Sequence, residues 1–453
     1  MGAGRCASTV EWVIMSQNID ASLNLTDVAG PADGIAAATV AVGKLADRAR
    51  SASRVLARAD RNWKDRALLA IAASLDANRA AVIKANAKDI AAGRANGTSD
   101  ALLDRLKLND ARVDALIAAL EELAGLPDPV GTVLRGQTLP NGLRLRQVHV
   151  PMGVIGAIYE ARPNVTVDIA GLALKSGNAV LLRGGSAAAH SNVALLALIR
   201  DALESVGLPA DAVASVDAWG RDGADAMMGA RGKIDVLIPR GGRELIQRVV
   251  TTASVPVIET GEGNVHIYLD ESADAAMAVP ILLNAKTQRP SVCNTVETLL
   301  LNANAKASGE VLAALHKAGV RLHVDARAKA LAGATPTVDA VEADWDTEYM
   351  DLDLAVAVVD DLGGAIKHIR AHSTGHTEAI LTNNLSHAER FIAEVDSAAV
   401  IVNASTRFTD GGQLGLGAEV GISTQKMHAR GPMGLRELTT TKWIVQGDGH
   451  VRS

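Results

Sequence analysis

Val154-Ile155-Gly156-Ala157-Ile158-Tyr159 opens the stretch whose reading decides the fold. Glu160-Ala161-Arg162-Pro163-Asn164 follows, and further on comes a second short apolar run, Ala179-Val180-Leu181-Leu182-Arg183, closed by Gly184-Gly185-Ser186. A continuous apolar run too short for a helix, closed by glycine or proline, reads as a strand buried on both faces. Runs at 214–216 and 234–238 repeat the pattern, with helical stretches at 187–206 and 241–252 beside them. This alternation predicts a parallel sheet covered by helices, because parallel neighbours need a long crossover and a helix supplies one.

Working outward toward the N-terminus, residues 32–123 read as nearly all helix. Val40, Leu45, Ala49 and Leu56 recur at helical spacing, and Gly93, Gly97, Gly125, Pro127 and Pro129 punctuate the run. Asn141-Gly142 then sits between 132–134 and the alternating 143–148, predicting a hairpin with a type I′ turn, for which Asn-Gly supplies positive φ. A two-stranded ribbon is marginal alone, so it is expected to pack on another subunit or domain. Residues 1–14 hold no cap, period or apolar h-region, and are expected to be a disordered extension ahead of Met15-Ser16-Gln17. Met1-Gly2 is not read as a myristoylation signal, since Cys6 stands where Ser or Thr is needed.

Outward in the other direction a second α/β set follows Glu259, with strands expected at 265–269, 298–301, 355–359, 379–381 and 400–402. The boundary is placed near Thr260-Gly261-Glu262-Gly263. At 453 residues the chain is too long for a single core. Aromatics make up only 2% and the net charge is -6, which argues against a nucleic-acid partner. No apolar run reaches the length of a membrane span. Two distant cysteines, Cys6 and Cys293, make no disulfide framework, so a reducing, cytoplasmic compartment is expected.

Cys293 lies in the polar segment Gln288-Arg289-Pro290-Ser291-Val292-Cys293-Asn294-Thr295. A thiolate is the reactive form, and Lys286 and Arg289 are expected to lower the thiol pKa. The bland alternative is an inert buried cysteine. Arg183-Gly184-Gly185-Ser186 and Arg240-Gly241-Gly242-Arg243 each follow a strand and open a helix, so backbone N–H groups and a guanidinium can face phosphate there; ordinary βα turns explain them equally well. His368, His372 and His376 have helical spacing, but a solvated helix end is the preferred reading and no metal is expected. Glu259 can serve as a base or as a linker carboxylate, and Asn164 as a functional amide or a helix N-cap.

The segments from Val150-Pro151-Met152-Gly153 through Arg162-Pro163-Asn164-Val165-Thr166, with Ser291-Val292-Cys293-Asn294-Thr295, Gly415-Leu416-Gly417-Ala418-Glu419 and His428-Ala429-Arg430-Gly431-Pro432-Met433-Gly434, resemble the gamma-glutamyl phosphate reductase family of the aldehyde dehydrogenase superfamily. The resemblance implies two parallel-sheet α/β domains plus a β-ribbon oligomerisation element. Residues 15–131 and 150–260 would form the cofactor-binding domain, 261–430 the catalytic domain, and 132–149 with 431–453 the ribbon and tail, including a strand near 438–445. It implies NADPH-dependent reduction of L-glutamate 5-phosphate in proline biosynthesis, a homo-oligomer, and glutamate 5-kinase as a pathway partner. Cys293 would be the nucleophile, and Asn164 with the Cys293 N–H the oxyanion hole. Arg183 and Ser186, beside Gly184 and Gly185, would meet the adenosine ribose and 2′-phosphate, Arg240-Gly241-Gly242 the pyrophosphate, and Glu348 the nicotinamide ribose. Arg162, Lys286, Arg289 and Arg407 would hold the substrate's carboxylate and phosphate. The sequence departs from hydrolytic members after Glu259, where Thr260-Gly261-Glu262-Gly263 follows in place of Leu-Gly-Gly, and from the family in the loop carrying Gly412-Gln413. The competing readings are an oxidising aldehyde dehydrogenase on the same fold and a non-catalytic scaffold.

Overall fold

The computed structural model describes residues 34–452; the expectation for residues 1–14 lies outside them. The chain begins with five helices, α1 (Gly34–Leu56), α2 (Arg61–Ala77), α3 (Arg79–Ala95), α4 (Asp100–Leu106) and α5 (Asp110–Gly125). Asp60 accepts the Trp63 N–H and Asn109 that of Arg112, so two helix starts are closed by the side chains best suited to it. Ala38, Val42, Ala46, Ala49 and Leu56 form one buried stripe of α1.

The helices pack on a four-stranded parallel sheet in the order β5-β4-β3-β6. Its units are β3 (Val154–Tyr159), α6 (Pro163–Lys175), β4 (Ala179–Arg183), α7 (Ala189–Ser205), β5 (Val213–Ser215), α8 (Gly220–Met228), β6 (Val236–Arg240) and α9 (Arg243–Thr252). Every residue of β3 is buried, as an apolar run covered on both faces requires.

A second, seven-stranded sheet is also wholly parallel, in the order β10-β9-β11-β8-β7-β12-β13. It is built from β7 (Val265–Leu269), α10 (Ala275–Thr287), β8 (Val296–Asn302), α11 (Ser308–Lys317), β9 (Arg321–Val324), α12 (Ala326–Ala332), β10 (Val338–Asp339), β11 (Asp353–Val359), α13 (Leu362–His372), β12 (Thr377–Leu381), α14 (Leu385–Glu394) and β13 (Ala399–Val402). Strand alternation divides its side chains between two cores. Ile267, Leu269, Leu299 and Leu301 pack into one, Tyr268, Leu300 and Ile380 into the other. The strands β9 and β10 are absent from the expected set; β9 alternates polar and apolar residues and β10 has only two residues, so neither forms an apolar run.

After two short strands, β14 (Ile422–Ser423) and β15 (Gly431–Pro432), the chain returns to the first unit: Val420, Ala429, Met433, Leu435 and Leu438 join its core. β16 (Thr439–Gln446) then pairs antiparallel with β2 (Arg144–Pro151), itself paired with β1 (Val133–Thr138), giving a three-stranded ribbon. Its turn differs from expectation. Gly142 N–H donates to Leu139 O at 2.8 Å and Leu139 N–H to Leu143 O at 2.8 Å, placing Pro140 and Asn141 at the centre. Only Gly142 has positive φ, at 92°. Proline in the first central position disfavours the I′ form, and a turn closed by a left-handed glycine results.

Candidate active site

Loops at the strand ends of the two sheets carry the candidate residues. In the four-stranded sheet, Arg162, Arg183 and Arg240 lie at the C-terminal ends of β3, β4 and β6. In the seven-stranded sheet, Gly263, Cys293, Glu348 and Thr374 lie just before β7, β8, β11 and β12. The strand order β11-β8-β7-β12 therefore sets four loops side by side that are far apart in sequence. A crevice outside the carboxyl ends of parallel strands is where such sheets bind ligands.

α10 starts at Asp274, whose side chain accepts the Met277 N–H, and delivers the chain to the cysteine loop. Cys293 is partly buried. Gly263 packs so closely against it that a Cβ would overlap the Cys293 carbonyl. The same Gly263 donates its N–H to Glu348 Oε1 at 3.0 Å, joining thiol loop and glutamate. Thr374 hydroxyl donates to Glu262 O at 2.6 Å, and the Asn264 amide donates to Trp345 O and His372 O at 2.7 and 2.8 Å, which pins the segment from both sides.

Burial, with Glu348 and Glu419 adding to it, pushes the Cys293 thiol up to about 12, against the opposing pull of Arg240 and Arg162. This corrects the sequence expectation for the thiol: the charges that favour its thiolate come from the opposite sheet. Lys286 is fully buried and its ammonium sits 2.6 Å from Glu297 Oε2, an ion pair with both side chains shut off from solvent. A lysine so placed holds a carboxylate of its own protein, which corrects its assignment to substrate. Burial lowers Lys286 and raises Glu297.

Arg162 is brought down to about 10 by burial and by the neighbouring Arg240 and Arg105 guanidinium groups. Arg407 donates to Gln288 Oε1 at 2.9 Å and feels both Cys293 and Arg289. Arg240 donates to Val420 O at 2.7 Å, so its guanidinium reaches toward the thiol side; it is not spread over a phosphate loop. The Gly242 N–H is taken by Glu160 Oε2 at 3.2 Å, putting a carboxylate where pyrophosphate was expected. Arg183 Nε donates to Gly220 O at 3.3 Å, across the mouths of two neighbouring βα turns, while Asp217 accepts the Gly184 N–H at 2.7 Å. Ser186 is exposed at the start of a short 3-10 turn.

Asn164 is the second residue of α6, after Pro163, and Arg162 holds the N-cap position without a side-chain cap. Asn164 is thus not the cap. Its amide donates to Asp168 Oδ2 at 2.9 Å, and Asp168 in turn feels Arg240. Glu259 exchanges hydrogen bonds with the Gln425 amide at 3.1 and 3.2 Å. The helix carrying His368 ends at His372, so His376 falls off it and bonds Thr377 instead.

Sequence reading missed Arg105, which reaches from α4 to donate to Ser291 O at 3.0 Å, and assigned no site role to Gly263 or Glu419, though both lie in segments it singled out. Spacing carries no signal for any of them.

Residues 19–353 match the aldehyde dehydrogenase family. A gamma-glutamyl phosphate reductase of Kineococcus radiotolerans is 60% identical over 409 residues, 89% of this chain and 95% of that one. One from Thermobifida fusca is 57% identical, covering 91% and 98%. The crystal structure of gamma-glutamyl phosphate reductase from Thermotoga maritima aligns with a TM-score of 0.88 at 48% identity, covering 91% of this chain and all of that one.

Proposed function

The chain belongs to the aldehyde dehydrogenase family and, within it, to the gamma-glutamyl phosphate reductases, and from this we propose that it reduces L-glutamate 5-phosphate to L-glutamate 5-semialdehyde with NADPH, releasing phosphate. The observation that supports the reading best is electrostatic. Arg105, Arg162, Arg240, Arg289 and Arg407 gather about the loop of one cysteine, and among the described residues none of the five is in an ion pair. Unpaired guanidinium groups around a nucleophile suit an electrophile that carries both a phosphoryl group and a carboxylate.

In this mechanism the Cys293 thiol gives up its proton, which leaves with the phosphate, and its sulfur attacks the acyl carbon. A C–S bond forms, the C–O bond to phosphate breaks, and phosphate leaves with the electron pair. The second Asn164 amide hydrogen and the Cys293 N–H are the donors for the carbonyl oxygen. NADPH, when bound, supplies the hydride that reduces the thioester carbon. Cys293 then departs as thiolate and takes up a proton from solvent, which returns the site to its starting thiol. Arg183, unpaired among the described residues at the crossing of two βα turns, suits a 2′-phosphate, and the closely approached Gly185 and Gly241 suit a backbone that lies against a dinucleotide. Glu348 would hold the nicotinamide ribose. Water is not a reactant, and Glu259, held by Gln425, has no basic task. The ribbon is the homo-oligomer contact.

The test is the reverse reaction: glutamate 5-semialdehyde, inorganic phosphate and NADP, followed by absorbance of the reduced cofactor. Turnover that requires phosphate, and that Cys293→Ala abolishes while NADPH still binds, is the expected result. Phosphate-independent oxidation would favour the hydrolytic reading instead.

A further inference from the structure

Arg105 stands apart from the other cations of the site, because it comes from neither sheet. It lies on α4, in the helical layer that precedes both, and its Nη2 crosses 186 positions of sequence to reach Ser291 O, two residues before the nucleophile. That carbonyl engages one donor of a five-donor fork, and no other hydrogen bond or ion pair is formed by the group among the described residues. Its charge is felt by both Arg162 and Glu348. Arg105 thus holds the cysteine loop, which Gly263 packs against and ties to the glutamate assigned to the nicotinamide ribose.

The position limits which end of the substrate it can meet. Nucleophile, hydride donor and departing phosphate all converge on one carbon, whereas the substrate's carboxylate lies at the far end of its carbon chain. A cation that holds the cysteine loop is at the reacting end. We propose that Arg105 is a phosphate-binding residue, pairing with Arg162 to hold the leaving phosphoryl group, while its bond to Ser291 keeps the guanidinium in place. The inference rests on the acyl phosphate reading above.

The reverse reaction separates the two anions, since phosphate and aldehyde are then different molecules with separate KM values. In Arg105→Met the KM for inorganic phosphate should rise about tenfold or more, as loss of a charge-assisted contact implies. The KM values for the semialdehyde and for NADP should stay near those of the unmodified enzyme, and Arg105→Lys should recover part of the loss. A second readout needs no turnover: inorganic phosphate should slow alkylation of Cys293 by iodoacetamide in the unmodified protein and do so less in Arg105→Met. An unchanged phosphate KM, or equal losses in all three KM values with kcat, would overturn the assignment and leave only a support for Ser291. Unmodified enzyme that turns over without phosphate would overturn the functional reading itself, a distinct outcome.

Discussion

Gly263 and Cys293 belong to neighbouring loops that touch backbone to backbone: a Cβ on Gly263 would overlap the Cys293 carbonyl and come within 2.8 Å of its Cα. The contact follows from β7 and β8 being adjacent parallel strands whose preceding loops arrive at the same edge. Because Gly263 also donates to Glu348, one glycine fixes the nucleophile against the residue assigned to the cofactor.

Gly263→Ala should therefore move the cysteine loop. A displacement on the order of 1 Å at a reacting atom costs about 10²-fold in rate. We expect kcat to fall by at least that factor and the melting temperature to fall with it, measured by steady-state kinetics and calorimetry. A fully active alanine variant would show that the loop can yield.

The thiol of the free enzyme is held protonated by burial and by Glu348 and Glu419. Alkylation by iodoacetamide should be slow at neutral pH and accelerate as pH climbs toward about 12. Removing either carboxylate removes a charge that disfavours the thiolate, so Glu348→Gln and Glu419→Gln should each alkylate faster at neutral pH. Arg240→Met should go the other way. Rates read by mass spectrometry on Cys293 decide it; slower alkylation in both Gln variants would contradict the electrostatic account.

Lys286 and Glu297 are a pair with neither side chain exposed. Lys286→Met strands a carboxylate in the core, which costs about 3–5 kcal/mol, whereas replacing both by apolar residues of similar size costs far less. Denaturant unfolding of K286M and of a Lys286→Met, Glu297→Leu double variant should rank them in that order. A double variant less stable than the single one would argue against the desolvation argument.

Arg183→Ala should weaken NADPH more than NADH, since the proposed partner of this guanidinium at the βα mouth is a 2′-phosphate. The comparison to make is the ratio of kcat/KM for the two cofactors. An unchanged ratio would remove Arg183 from the specificity account.

On the ribbon, Val133, Leu134, Trp443 and Val445 are each about half exposed, on two edge strands that pair with no further strand among the described residues. Trp443→Glu with Val445→Glu should lower the assembly state on a sizing column at unchanged fold. Gly142→Val should strain the ribbon turn, because position 142 alone carries the positive φ there. Asn141 does not share it, so its replacement matters less than Asn-Gly chemistry suggests.

Sequence alone determined the kinds of elements and the chemistry they carry. Apolar runs at 154–159 and 265–269 read as buried strands, the helical period of 32–123 as a helical layer, and one cysteine in a polar loop as the candidate nucleophile. These are local properties, written in residue order. Tertiary structure decided neighbourhood. The order β11-β8-β7-β12 places Glu348, Cys293, Gly263 and Thr374 together, and no local pattern encodes which strands pair. Lys286 looked like a site cation because it is near Cys293 in sequence, yet α10 turns it inward to Glu297. Nothing in the sequence marks Arg105, yet α4 aims it at Ser291. Side-chain direction depends on packing between distant segments, and a long-range contact leaves no period to read.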